Sequence, residues 1–162
     1  MKKLYIALLL VVMAGCNSRE PQETGREGKP LPVFSLLLSD STTHFSTGSI
    51  PAGKPTVLFY FGPHCPYSHA QMEEIINHMD ELEGVSFYLI TPAPYHEMME
   101  FYKQYSLEEY PNVVVGRDSI NFFGDYYKAP GVPFLAIYRK DKMMHEAYVG
   151  KLDADDIRSS TE

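Results

Sequence analysis

Thr56-Val57-Leu58-Phe59-Tyr60-Phe61 is a strand-like run set off by Gly53-Lys54-Pro55 before it and Gly62-Pro63 after it. A short, almost wholly apolar run bounded by breakers predicts a strand buried on both faces. Behind it, Met72, Ile75, Ile76, Met79 and Leu82 recur at offsets of 0, 3, 4, 7 and 10 and end at Gly84, which predicts one amphipathic helix. Val85 to Thr91 is the next strand, closed by Pro92 and Pro94, and Tyr95 to Tyr105 is a second helix with Met98, Met99 and Tyr102 turned inward. Asn112 to Val115 reads as a short strand and Ser119 to Tyr127 as a short aromatic helix, with Phe122 and Phe123 under the sheet. Val132 to Tyr138 and Met143 to Val149 flank the polar turn Arg139-Lys140-Asp141-Lys142 as a hairpin, and a last helix starts at Asp153. Val33 to Leu38 can pair with His44 to Ser46 across Ser39-Asp40-Ser41. Strand-like and helix-like segments in this alternation predict an α/β fold, a central mixed sheet flanked by helices.

The N-terminus changes the compartment. Lys2 and Lys3 precede an apolar run from Leu4 to Met13 that ends in Ala14-Gly15-Cys16, a secretory signal too short for a permanent membrane span. Met13-Ala14-Gly15-Cys16 resembles the lipobox of bacterial lipoproteins. That resemblance implies lipidation at Cys16 and a protein tethered to a membrane on its extracytoplasmic, periplasm-facing side; plain secretion with cleavage nearby is the alternative. The expected organisation is a signal peptide over 1–15, a lipidated start and flexible linker over 16–32, a domain over 33–158 and a tail over 159–162. Loss of residues 1–15 removes two lysines and no acid, so the formal charge of −7 becomes −9, which disfavours nucleic acid as a partner.

With Cys16 committed to the lipid, the domain has a single cysteine, Cys65, in Gly62-Pro63-His64-Cys65-Pro66-Tyr67-Ser68. A sulfur at a helix start meets unpaired backbone N–H groups and the positive end of the helix dipole, which favours a nucleophilic thiolate, and His64 or His69 adds charge when protonated. Such a sulfur can attack a disulfide, but with Ser68 three residues on it cannot close an intramolecular one. The alternative fate is a small buried hydrophobe. Cys65 and His69, four apart with His64 alongside, also suggest a thiolate–imidazole copper or zinc pair, although no third ligand is identifiable and no metal or other cofactor is expected.

The order of a strand, a proline-flanked cysteine at a helix start, a central βα excursion and Gly131-Val132-Pro133 opening a hairpin that ends in Val149-Gly150 resembles the thioredoxin fold over Val33 to Arg158. Pro133 follows Cys65 by 68 positions, room for the extra helix and strand of the TlpA/ResA-like branch of membrane-tethered thiol-disulfide proteins. Val33-Phe34-Ser35-Leu36 and Gly53-Lys54-Pro55-Thr56-Val57-Leu58 look like the same branch. The resemblance implies a cis Pro133 facing Cys65, with the backbone at Val132 receiving an extended substrate strand. It implies Cys65 and Pro133 as the catalytic pair, with His64, Pro66, Tyr67, Ser68 and Val132 modulating the thiolate or contacting substrate. The departures are Ser68 for the second cysteine, His64 for a tryptophan, and Phe59 and Gln71 at the two positions where relatives carry a proton-handling acid.

Cys65-Pro66-Tyr67-Ser68 is also similar to a monothiol glutaredoxin site, without the Gly-Gly-Asp element that holds glutathione, and Gly62 stands where peroxiredoxins need a hydroxyl. The functional expectation is mixed-disulfide exchange between Cys65 and cysteine-containing envelope proteins or small thiols. The competing readings are a binding module that has lost turnover and a copper carrier.

Overall fold

In a computed structural model that describes residues 19–162, the chain forms β1 (Ser35–Leu38), β2 (His44–Ser46), β3 (Thr56–Tyr60), α1 (Pro66–Asn77), α2 (Met79–Leu82), β4 (Ser86–Thr91) and α3 (Tyr95–Gln104). It continues through β5 (Val113–Arg117), α4 (Phe122–Tyr127), β6 (Phe134–Tyr138), β7 (Met144–Val149) and α5 (Ala154–Thr161). The signal-like segment, Cys16 and its lipidation lie outside the described residues. The strands make one seven-stranded sheet in the order β2-β1-β5-β4-β3-β6-β7. Strands β3, β4 and β5 run parallel, and the remaining pairings are antiparallel, so the sheet is mixed as expected. The βα unit of β5 and α4 stands between the second parallel strand and the β6–β7 hairpin, where the central excursion was expected.

Alternation along the buried strands sends side chains to two cores. Val57, Phe59 and Phe61 join Met72 and Ile75 of α1, Met98 and Phe101 of α3 and Ile157 of α5 on one face. Leu58, Tyr60, Tyr88, Ile90 and Phe134 meet Phe123 and Tyr127 of α4 on the other. β3 is buried at every position, the property that made it the clearest strand in the sequence.

The stripe from Met72 to Leu82 does not form one helix. The His78 ring donates through Nδ1 to the Glu74 carbonyl at 2.9 Å, occupying the acceptor that the His78 N–H would use in a continuous helix, and the chain restarts as α2. At the C-terminus α5 runs past the expected boundary at 158, because the Ser160 hydroxyl bonds both Tyr148 and Glu146 at 3.1 Å.

The flexible linker expected over 16–32 is corrected for residues 22–31, which are held along the free edge of β7. Gln22 N–H donates to Ala147 O at 2.7 Å, Gly28 N–H to Met144 O and Met144 N–H to Lys29 O at 2.9 Å, and Leu31 N–H to Lys142 O at 3.0 Å. Arg26 stacks 4.3 Å above the Tyr126 ring and donates to the Tyr126 carbonyl. Polar composition argues against a core and says nothing against backbone pairing to an open strand edge. That is why the segment reads as free chain.

One contact sets the β1–β5 seam. A Cβ added to Gly116 would stand 2.7 Å from the Leu36 Cβ, inside the buried layer. Gly116→Ala is expected to cost about 1–3 kcal/mol through forced separation of these strands, read as a lower urea midpoint at unchanged slope.

Candidate active site

Cys65 is the N-cap residue of α1, with extended backbone (φ −85°, ψ 118°) and Pro66 as the first helical residue. Proline suits that position because its missing N–H would be unpaired there anyway. It leaves the N–H groups of Tyr67 and Ser68 as the free donors that an N-cap side chain can reach. Cys65 N–H closes the preceding turn on Gly62 O at 3.0 Å, and His69 N–H bonds Cys65 O at 3.1 Å. The residue is half-buried, so the sequence alternative of a wholly buried hydrophobe does not hold.

The sulfur faces the β6 loop. The Val132–Pro133 peptide is cis, and Cys65 Sγ lies 3.5 Å from Val132 O, a long thiol-to-carbonyl hydrogen bond. Gly62 permits this approach, since a Cβ on it would lie 3.1 Å from Val132 Cγ2 and 3.3 Å from the Cys65 Cβ. Pro133 is buried and its carbonyl accepts from Gly150 N–H at 2.7 Å, which ties the loop to the end of the hairpin.

Ser68 is completely buried, and its hydroxyl accepts from Gly62 N–H at 3.2 Å. It therefore pins the strand-to-helix turn from inside. His64 points outward, its Nε2 3.2 Å from a Glu97 oxygen on α3. Tyr67 is 67 % exposed beside the sulfur. With Ala70, Val132, Val149, Gly150, Lys151 and Arg19 it lines a groove of about 540 Å³. The sequence placed Tyr67 and Val132 there. The wall from 149 to 151 had only the terminal Val149-Gly150 pair as a signal, because the hairpin reaches the site from more than 80 positions away.

His69 belongs to the scaffold. Nε2 bonds Pro63 O at 2.7 Å and Nδ1 bonds the Tyr105 hydroxyl at 2.6 Å, while the ring leans on Phe101 and Tyr105. A carbonyl can only accept, so Nε2 carries the proton that it donates to Pro63 O. Burial, then the charge of Glu73 and a hydrogen bond to it, push the Tyr105 phenol up to about 12, so that the hydroxyl stays protonated. With both ring nitrogens committed, the Cys65–His69 metal pair read from the spacing does not form. Among the described residues no group of three or more His, Cys, Asp or Glu side chains is placed to hold a metal ion.

Gln71 is fully buried and grips one residue twice. Its Nε2 donates to Leu152 O at 3.1 Å and its Oε1 accepts from Leu152 N–H at 2.7 Å. An amide suits this arrangement because it offers a donor and an acceptor at every pH. Phe59, at the other position expected to carry an acid, is buried against Phe61 with ring centroids 5.8 Å apart.

No family model matches the chain. A methylamine utilization protein MauD from Methylobacillus flagellatus is 27% identical over 114 residues, 70% of this chain and 53% of the relative, so the chain spans about half the length of the curated relative it matches. Among solved structures, a secreted Mycobacterium tuberculosis disulfide oxidoreductase homologous to E. coli DsbE superposes with a TM-score of 0.64 at 22% identity, covering 78% of this chain and 92% of the other. StoA from Bacillus subtilis superposes with a TM-score of 0.61 at 15% identity, covering 81% and 97%. A mixed sheet with its cysteine at the head of α1, opposite a cis proline that opens the β6–β7 hairpin, together with these superpositions, places the chain among proteins of the thioredoxin-like fold.

Proposed function

We propose that this chain is an extracytoplasmic, lipid-anchored thiol-disulfide exchange protein that works with one sulfur. The observation that carries the reading is a half-buried Cys65 facing the carbonyl before cis Pro133, with Ser68 where an internal resolving thiol would stand. The Cys65 thiolate attacks one sulfur of a partner disulfide. A Cys65–partner disulfide forms, the partner's S–S bond breaks, and its other sulfur leaves as a thiolate. Release takes an external thiol, which attacks the mixed disulfide, supplies the electrons and returns Cys65 as a thiolate. Pro133 and Val132 form the platform for the partner's strand, Tyr67 and Pro66 border it, and His64 tunes the field at the sulfur. The partners are cysteine-containing envelope proteins or small thiols, and a lipid on Cys16 holds the chain to the membrane.

A second reading, a binding module without turnover, is favoured by Gln71, whose amide is spent on Leu152 and handles no proton. One measurement separates the two. Incubated with a peptide disulfide, the chain is expected to gain the mass of one peptide half at Cys65, and Cys65→Ser is expected to gain none. An unmodified native chain after prolonged incubation would favour the binding module.

A further inference from the structure

The edge-docked segment fixes where the anchor meets the domain. Leu31 stands opposite Lys142, Gly28 and Lys29 opposite Met144, and Gln22 opposite Ala147, with an antiparallel bridge between Pro30 and Met143. Between these contacts residues 24–27 form a local turn, Thr24 N–H bonding Glu27 at 2.8 Å, yet the segment as a whole runs from Lys142 toward the Val149 end of β7, and Val149 pairs with Phe134 next to cis Pro133. Arg19 completes the climb: its guanidinium donates to the Lys151 carbonyl and lines the same groove as Tyr67 and Val132. Positions 16–18 span at most about 10 Å even when fully extended.

We propose that this strap turns the end of the sheet at which Cys65 lies toward the membrane, so that the disulfides presented to Cys65 are those of membrane-embedded proteins lying close to the bilayer surface. The proposal rests on the reading of Cys16 as the lipid-bearing residue and of Cys65 as an exchanging thiol. A free linker of the same length would let the domain tumble and sample soluble and membrane-bound partners alike. A strap held to β7 at Gln22, Gly28 and Lys29 and to the Lys151 carbonyl at Arg19 instead presents the Cys65 end, and the effective concentration of a partner sulfur near the surface rises accordingly.

The test holds the chain from residue 16 onward, which keeps every described residue, on phosphatidylcholine vesicles through an N-terminal polyhistidine tag and a nickel-chelating lipid. The same vesicles carry a transmembrane peptide whose disulfide-capped cysteine sits either at the surface or at the end of a long Gly-Ser tether. Capture at Cys65 is expected to be about tenfold faster for the surface disulfide. Inserting about 20 Gly/Ser residues between positions 18 and 19, roughly 25 Å of slack, is expected to bring the two rates together. Equal rates in the parent chain, a preference that survives the insertion, or absence of an acyl mass on Cys16 of membrane-extracted protein would each overturn the proposal. A chain that captures neither these disulfides nor a free peptide disulfide in solution would overturn it through the exchange reading instead.

Discussion

A Ser68→Cys chain will shed its captured partners unaided. The Ser68 side chain sits one helical turn into α1, on the inner side of the Cys65 turn, with its hydroxyl toward Gly62 N–H. A thiol introduced there attacks the Cys65 sulfur of a mixed disulfide. The two protein sulfurs join, the partner leaves as a thiol, and the two protein thiols have supplied the electrons. Because attack becomes intramolecular, release is expected to accelerate by about 10³-fold or more over a millimolar external thiol. Two assays read it: the lifetime of the Cys65 adduct by intact mass, and insulin precipitation driven by dithiothreitol. The native chain is expected to give a long-lived adduct and little precipitation. Robust insulin turnover by the native chain, or an adduct that outlives the introduced thiol, would contradict the single-sulfur reading.

Gln71→Glu will make stability depend on pH. The protonated acid copies the amide, its O–H donating to Leu152 O and its second oxygen accepting from Leu152 N–H. Once ionised, it sets a buried negative charge against that same carbonyl and loses the donor. The folded state therefore raises the pKa of the introduced carboxyl above its unfolded value of about 4.3. The sign follows from proton binding. Above that unfolded value the denatured chain has released the proton and the native chain still holds it, so stability falls as pH rises until the native carboxyl also ionises. Near pH 4 the variant is expected to match the parent, and near pH 8 to lie about 3–5 kcal/mol below it, as urea titrations at the two pH values would show. Equal losses at both would mean that shape, not charge, governs the site.

Much of the architecture was legible because it rests on local periodicity. The apolar run at β3, the stripe of α1 and the Arg139–Lys142 turn of the β6–β7 hairpin each declare themselves within ten residues or so, and the cysteine turn and Val132-Pro133 are compact enough to be read together. What escaped depends on pairing across distance. The break at His78 comes from a side chain competing for a carbonyl, and helical spacing carries no trace of that contest. His69 looked like a ligand because its spacing from Cys65 was visible while Pro63 O and Tyr105, which take both its nitrogens, were not. Gln71 looked like a lost carboxylate. Its partner, Leu152, lies 81 positions away and is engaged through backbone atoms that no side-chain pattern encodes.

The docked N-terminal segment also bears on association between molecules. An open strand rim is a template for recruiting foreign strands and growing sheets end to end. Gln22, Gly28 and Lys29 take the outward backbone groups of Met144 and Ala147, which breaks that rim into short stretches, and the opposite one is β2, which offers only His44 to Ser46. Among the described residues, strand exchange between neighbours thus has no long unbroken template on either flank, so crowded chains can keep their sulfurs available without polymerising.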